Sequence, residues 1–243
     1  MLIDYPEFVD RANSIVTAMA AAARQAGRVA AEIELLPVTK THPAAAAEYV
    51  ARYGLLGVGE NRVQESAEKR GQTTGAARSL RWELIGHLQT NKAKLAAQHF
   101  DRIQSVDRDK LIQHLGRAAT ELDKVLPILL QINAGQDPAK FGAELEDAPR
   151  LLEAALAQKY LRVDGLMTIA PLGATSAETS AHAERTFANL RMLRDDLTRR
   201  YHTPLTTLSM GMSGDFGLAI AAGSTLVRVG TALFGARGTP VAL

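Results

Sequence analysis

The chain contains no cysteine among its 243 residues. That absence excludes disulfides, thiolate metal sites and a cysteine nucleophile together, and it fits a reducing cytoplasm. Close metal-ligand spacing is missing too: the six histidines lie far apart and none forms a His-x-x-x-His pair, which speaks against metal-dependent hydrolysis. No Gly-Lys dipeptide occurs, so there is no Walker A loop. Basic blocks are absent and the net charge is only +2, so nothing predicts a nucleic-acid partner. The most apolar stretch, near Ala219 to Phe234, is broken by glycines and by Arg228, too interrupted to span a bilayer. The opening residues, Met1-Leu2-Ile3-Asp4-Tyr5-Pro6-Glu7, are acidic and broken by proline, unlike a signal peptide. Together these absences predict a cytoplasmic protein with neither membrane nor nucleic acid as a partner.

What is present is ordinary in bulk, 47% hydrophobic and 22% charged, the balance of a globular protein with ample core. No Pro/Gly/Ser-rich linker and no repeat divides the chain, so residues 1–243 read as one domain of a length common for barrels. After Pro6, the residues Phe8, Ala12, Ile15, Val16, Met19 and Ala23 recur at helical spacing, with Glu7 near the start and Arg24 and Arg28 near the end. The period then changes. Strands are predicted near 33–39, 55–58, 82–85, 102–105, 126–132, 163–167, 205–208 and 225–229. Helices are predicted near 43–53, 61–70, 91–98, 108–122, 144–157, 177–201 and 214–222. This alternation predicts an α/β fold, a (β/α)8 TIM-type barrel with an extra N-terminal helix. Only 13 residues follow Gly230, too few for a full closing helix, and the extra helix is expected to cover that gap.

Working groups in such barrels sit at the C-terminal ends of the strands. Of the eight lysines, Lys69, Lys92, Lys94 and Lys110 fall on predicted helices and are expected on solvated faces. Lys124 and Lys159 precede strands, at the opposite rim. Lys40 directly follows Leu36-Pro37-Val38-Thr39 and shares a strand face with Leu36 and Val38. Inside a barrel wall, desolvation favours the neutral amine, the form that attacks an aldehyde. Position alone favours the commoner case, a strand-end lysine reaching out to water; the remaining pieces reverse that preference. Lys140, in the polar segment 133–140 after the fifth strand, is a second candidate, with the character of an accessory charge.

Two clusters of small residues follow the seventh and eighth strands, where such barrels often bind phosphate. Ser209-Met210-Gly211-Met212-Ser213-Gly214-Asp215 opens a helix, with Ser213 as expected N-cap, and Thr231 starts a helical turn after Arg228-Val229-Gly230. Plain capping and turn chemistry explains either cluster taken alone. Arg228 stands on one strand face with Leu226 and Gly230, inside an apolar run, and a buried guanidinium must find an acceptor. That acceptor is either a carboxylate from a neighbouring strand or the pyridine nitrogen of a cofactor whose phosphate lies beside Gly230 and Thr231. Arginine would donate to an unprotonated ring nitrogen and leave such a cofactor a weak electron sink. Asn61, at the end of the second strand, is placed either to reach a cofactor ring oxygen or to cap the helix that follows. The run Gly57-Val58-Gly59-Glu60-Asn61-Arg62 departs from a dinucleotide fingerprint at Arg62.

In order along the chain, the blocks Pro37-Val38-Thr39-Lys40-Thr41, Gly59-Glu60-Asn61-Arg62-Val63-Gln64-Glu65, Ile85-Gly86 with Leu88-Gln89-Thr90-Asn91-Lys92, Gly165-Leu166-Met167, Ser209-Met210-Gly211-Met212-Ser213 and Arg228 through Gly235 resemble the pyridoxal phosphate homeostasis protein family. The resemblance covers nearly the whole chain and implies a fold similar to the barrel domain of alanine racemases. It implies that Lys40 forms a Schiff base with pyridoxal 5′-phosphate (PLP) and that Arg228 faces the pyridine nitrogen. It further implies that Ser213, Gly230 and Thr231 hold the phosphate, with Met212 and Asn61 nearby. The family's implied role is to buffer and deliver PLP to PLP-dependent apo-enzymes, affecting amino-acid and keto-acid balance without a reaction of its own; a monomer is expected. Two departures stand out. His87 stands where the family usually has proline, which bears on loop shape, and Gly217 stands where an acidic residue is common.

Two enzyme readings compete. An amino-acid racemase fits Arg228, but racemases of this fold carry a second domain and a tyrosine opposite the lysine. This chain ends at Leu243, leaving no room for that domain, and places none of Tyr5, Tyr49, Tyr53, Tyr160 and Tyr201 convincingly on the rim. A Schiff-base aldolase would use Lys40 with a sugar phosphate in the cup.

Overall fold

The structure, a computed structural model, describes residues 2–235. Helix α1 (Tyr5–Gln25) begins where Asp4 accepts a hydrogen bond from the Glu7 N–H at 2.9 Å and Pro6 occupies the first turn. Strand and helix then alternate through β1 (Glu34–Pro37), α2 (Ala44–Tyr53), β2 (Gly57–Glu60), α3 (Val63–Gln72), β3 (Arg81–Leu84) and α4 (Ala93–His99). The pattern continues with β4 (Arg102–Val106), α5 (Asp109–Glu121), β5 (Leu126–Gln131), α6 (Ala148–Leu156), β6 (Leu161–Met167) and α7 (Ser176–Tyr201). It ends with β7 (Thr207–Ser209), α8 (Phe216–Ala221), β8 (Leu226–Val229) and the short α9 (Thr231–Phe234).

All strand pairs are parallel, in the order β1-β8-β7-β6-β5-β4-β3-β2. The expected eight-stranded barrel with its extra helix is therefore what forms. Its two end strands meet at one bridge, Val38 with Gly59, where the Thr39 N–H donates to the Gly59 carbonyl at 3.1 Å. That seam lies directly below Lys40 and Asn61.

Alternation along each strand sorts the side chains. Leu35, Val58, Trp82, Leu84, Ile103, Ile128, Leu130, Leu166, Leu208, Val227 and Val229 point outward into the layer shared with the helices. The inward set begins at the N-terminal rim with charge. There Glu34 pairs with Arg81, and Glu83 is held by Arg102 at 2.7 and 2.9 Å and by Arg81 at 3.5 Å. Above it sit Leu36, Leu129, Met167 and Leu226, with Gln104 and Ser209 among them; all are buried.

Helix α1 packs on α8, α9 and α2 through Phe8, Ala12, Ile15, Met19 and Ala23. The Phe8 ring stacks on Phe234 with centroids 5.3 Å apart. It thus covers the outside of the β8–β1 seam, the gap it was expected to cover. Two details differ from expectation. Val16 is 41% exposed, and Arg28 lies beyond the helix, where its guanidinium donates to the Ile220 and Ser224 carbonyls at 2.9 and 2.7 Å. Those acceptors lie at and just beyond the C-terminus of α8, so Arg28 serves that helix end and not its own.

Element bounds shift modestly. β2 starts two residues later than the apolar run at 55–58 suggested, because the Leu55 N–H caps α2 through the Val50 carbonyl and Leu56 is exposed. Gly57 and Gly59 form the strand instead, and the Leu36 side chain fills the space their missing side chains leave. β7 likewise begins at Thr207 and extends to Ser209. The first turn of the helix expected from 144 is a tight 3-10 turn, Leu145–Asp147.

Among the described residues no helix is long and apolar enough to cross a membrane.

Candidate functional site

One cavity of about 500 Å³ opens at the C-terminal mouth of the barrel, within the size range of small-molecule sites. It is lined by Val38, Lys40, His42, Asn61, Ile85, Gly86, His87, Gln131, Phe141, Ile169, Met212, Ser213, Arg228, Gly230 and Thr231. All seven residues expected at the site, Lys40, Asn61, Met212, Ser213, Arg228, Gly230 and Thr231, are brought together there. Lys140 does not line it, although its neighbour Phe141 does.

Lys40 is the only one of the lysines on this cavity, and the segment carrying it is braced from behind. Thr39, pointing outward, donates its hydroxyl to Glu60 Oε1 at 2.6 Å, and Lys69 Nζ donates to the same oxygen at 2.6 Å and to the Thr39 carbonyl at 2.8 Å. Thr41 adopts a left-handed φ of 66°, rare for a β-branched residue, and its N–H donates to Glu65 Oε1 at 2.8 Å. The expectation that Lys69 is solvated is therefore corrected. It is buried because Glu60, fully buried one strand away, requires a cation. Burial pushes the Glu60 carboxyl above its usual value, against the lowering effect of Lys69.

Arg228 is 3% exposed. Its Nη1 donates to the Ser209 hydroxyl at 2.7 Å and its Nη2 to the Thr168 carbonyl at 2.9 Å. No carboxylate among the described residues makes an ion pair with it, so the structural ion pair considered from the sequence does not form. Desolvation lowers its pKa to about 10, against the nearby Asp215 charge. It is still a cation at neutral pH and lines the cavity.

The loop after β7 differs from expectation in one respect. Ser213 does not cap α8; the N-cap position falls to Asp215, with no side-chain cap bond. Asp215 instead accepts the Met212 N–H at 2.5 Å, which curls the loop and leaves Ser213 at the cavity. Gly211 makes that curl possible: its φ is +94°, and a Cβ there would stand 2.6 Å from the Ala219 Cβ. The backbone N–H groups of Ser213, Gly214, Gly230 and Thr231 donate to no acceptor among the described residues. Donors from the β7 and β8 loops thus stand open around one end of the cavity, the arrangement an anionic group requires.

Asn61 is not the cap of α3, whose N-cap residue is Arg62, and its side chain makes no hydrogen bond among the described residues. Gly86 sits against it so closely that a Cβ would fall 2.3 Å from the Asn61 carbonyl oxygen. Beside Gly86, the His87 ring stacks on Phe141 with centroids 4.0 Å apart and planes 18° apart. This stack joins the loops after β3 and β5 and forms part of the cavity wall. A cleft of about 540 Å³ adjoins it and shares Asn61 and His87, but Arg228 and the two small-residue loops are not part of its wall.

Sequence reasoning missed His42, Gln131, Phe141 and Ile169. Gln131 was within reach, as the inward position following Pro127 and Leu129 at the end of an apolar run. The charged and amide side chains deeper in the barrel were missed as well.

The family described as "Alanine racemase, N-terminal domain" matches residues 16–238. The chain is 43% identical to the pyridoxal phosphate homeostasis protein of Pseudomonas aeruginosa over 216 residues, 89% of this chain and 90% of that one. With the protein of the same name from Escherichia coli K12, identity is 40% over 224 residues, 90% and 92% of the two chains. PipY of Synechococcus elongatus, solved with PLP bound, superposes with a TM-score of 0.79 at 37% identity, covering 94% of this chain and all of that one. An alanine racemase of Clostridium difficile shares the fold alone, with a TM-score of 0.68 at 16% identity over 86% of this chain and 53% of that one. On a family match across most of its length and full-length relatives at this identity, the chain belongs to the pyridoxal phosphate homeostasis proteins, built on the alanine racemase N-terminal barrel.

Proposed function

We propose that this protein binds PLP as a Schiff base on Lys40 and acts as a carrier, buffering PLP and delivering it to PLP-dependent apo-enzymes without catalysing a reaction of its own. It does so as a monomer, one domain over residues 1–243, in the cytoplasm. The observation that carries this reading is the convergence, on one cavity, of a lysine, a buried cationic donor and two loops whose N–H groups meet no acceptor among the described residues. Bound PLP supplies an aldehyde, a ring nitrogen and a phosphate, and the cavity offers a matching group for each. Lys40 provides the amine. Arg228 provides a donor for an unprotonated ring nitrogen. The backbone N–H groups of Ser213, Gly230 and Thr231, together with the Ser213 and Thr231 hydroxyls, hold the phosphate, with Met212 and Asn61 against the ring. The PLP-bound state of the 37% identical PipY supports this assignment.

The carrier role is favoured over an amino-acid racemase by what the cavity lacks. Racemases of this fold are expected to set a tyrosine across from the lysine as the second acid–base group; no tyrosine lines the cavity among the described residues, where the other neutral acid–base side chains are His42 and His87. Borohydride reduction of the PLP-loaded protein, followed by peptide mapping, is expected to place the label on Lys40, and Lys40→Ala is expected to remove it. Undiminished labelling at another residue in that variant overturns the assignment. Chiral analysis of amino acids after long incubation with loaded protein is expected to show no turnover.

A further inference from the structure

Below Arg228 a line of side chains runs down the inside of the barrel to its far rim. Arg228 Nη1 donates to Ser209 Oγ at 2.7 Å, Ser209 Oγ donates to Gln104 Oε1 at 2.6 Å, and Gln104 Nε2 donates to Glu83 Oε2 at 2.6 Å. Arg102 closes the line on Glu83 with two hydrogen bonds, at 2.7 and 2.9 Å. Ser209, Gln104 and Glu83 are fully buried.

The direction of this chain is imposed by its ends. Arginine has donors only, and an ionised carboxylate has acceptors only. Glu83 therefore turns the Gln104 amide nitrogen toward itself, which leaves the Gln104 oxygen facing Ser209. Ser209 must then spend its single proton on Gln104, which leaves lone pairs for Arg228. Every ambivalent group has one orientation. The same layer of the barrel is otherwise filled by Leu36, Leu129, Met167 and Leu226, so a serine and a glutamine there are costly unless fully bonded. Apolar residues of similar volume serve stability at least as well.

We propose that Gln104 and Ser209, oriented from the Glu83–Arg102 pair, are positioning residues that aim the Arg228 guanidinium at the ligand's ring nitrogen. With Ser209 and the Thr168 carbonyl each fixing one terminal nitrogen, the guanidinium plane is held. Ring-nitrogen recognition at the mouth thus depends on side chains that never touch the ligand. This inference rests on the PLP reading of the cavity.

The test compares equilibrium binding of PLP with that of its 1-deaza analogue, in which a C–H replaces the ring nitrogen. Wild type is expected to prefer PLP by about tenfold or more, the worth of one charged hydrogen bond. Gln104→Leu and Ser209→Ala are each expected to reduce that preference to about twofold, while binding of the deaza analogue changes little. The double variant is expected to show no further loss, as members of one chain do not add. A merely structural role weakens both ligands alike. Should wild type bind neither ligand, the PLP reading falls and this inference with it; should it bind both without preference, the ring nitrogen is not recognised and the inference alone falls. Should wild type prefer PLP and both folded variants, checked by cooperative urea unfolding, keep the full preference, the inference alone falls.

Discussion

At the scale of single residues, the barrel mouth is set by buried charges whose partners lie on neighbouring elements. Lys69 shows this best. It is buried, and its ammonium holds Glu60 and the Thr39 carbonyl next to Lys40. Lys69→Met leaves Glu60 in a dry site with only the Thr39 hydroxyl, and the loss of a partner from a buried pair costs about 3–5 kcal/mol. The sign of its pH dependence follows from Glu60. Burial raises that carboxyl above its usual 4.5, so its stabilising contribution is full below 4.5 and is lost as pH rises through the raised value. Removing Lys69 takes away a lowering influence and raises it further. Urea unfolding should therefore show the variant's deficit largest at neutral pH and shrinking toward pH 4.5. A deficit that grows on acidification would mean that Glu60 is not the group left stranded.

At the scale of elements, the sequence periodicity showed the order and type of all eight strands and of the helices, because helical and strand spacings differ clearly in long segments such as α7. Ends were less legible. Leu55 and Leu56 look like strand residues, yet the strand is Gly57–Glu60, whose two glycines let the Leu36 side chain pack close across the seam. Nothing in the local pattern announces that contact. Ser213 looked like a helix cap, but Asp215 took the bond that curls the loop. Arg228 was legible as a cation inside an apolar strand, whereas Lys40 stood out only beside the small-residue clusters after β7 and β8, since its position alone favoured a lysine reaching out to water. Lys69 was not, since a single lysine on a polar helix gives no sign of the carboxylate opposite it. Helix α1 was legible both as a helix and as the cover for the barrel's last gap. Phe8 is its largest fully buried side chain and stacks on Phe234. Phe8→Ala is expected to lower stability by about 3–5 kcal/mol in urea unfolding, the usual cost of emptying such a site. A loss under about 1 kcal/mol would show that α1 is an appendage and not part of the core.

At the scale of the whole molecule, the cavity stands where the barrel is least closed. β1 and β2 share one bridge, while β5 and β6 are paired along their length. The residues proposed to hold PLP come from both sides of that seam: Lys40 after β1, Asn61 after β2, and Ser213, Arg228, Gly230 and Thr231 from β7, β8 and their loops. A ligand that engages them together ties the seam across its mouth. Binding to the native state alone, at a hundredfold excess over Kd, adds about 2.7 kcal/mol. For a chain of this size that corresponds to a rise in Tm of roughly 5–10 °C. The seam makes the expectation more specific than a general stabilisation. The Thr39 amide, which donates to the Gly59 carbonyl at the single bridge, should gain hydrogen-exchange protection on PLP addition beyond that of amides in the β5–β6 ladder, which is already secured. Lys40→Ala should keep part of the Tm rise through the phosphate and ring contacts, yet lose most of the extra protection at Thr39. A rise in Tm with protection spread evenly over all eight strands would show that the ligand stabilises the barrel without closing its seam.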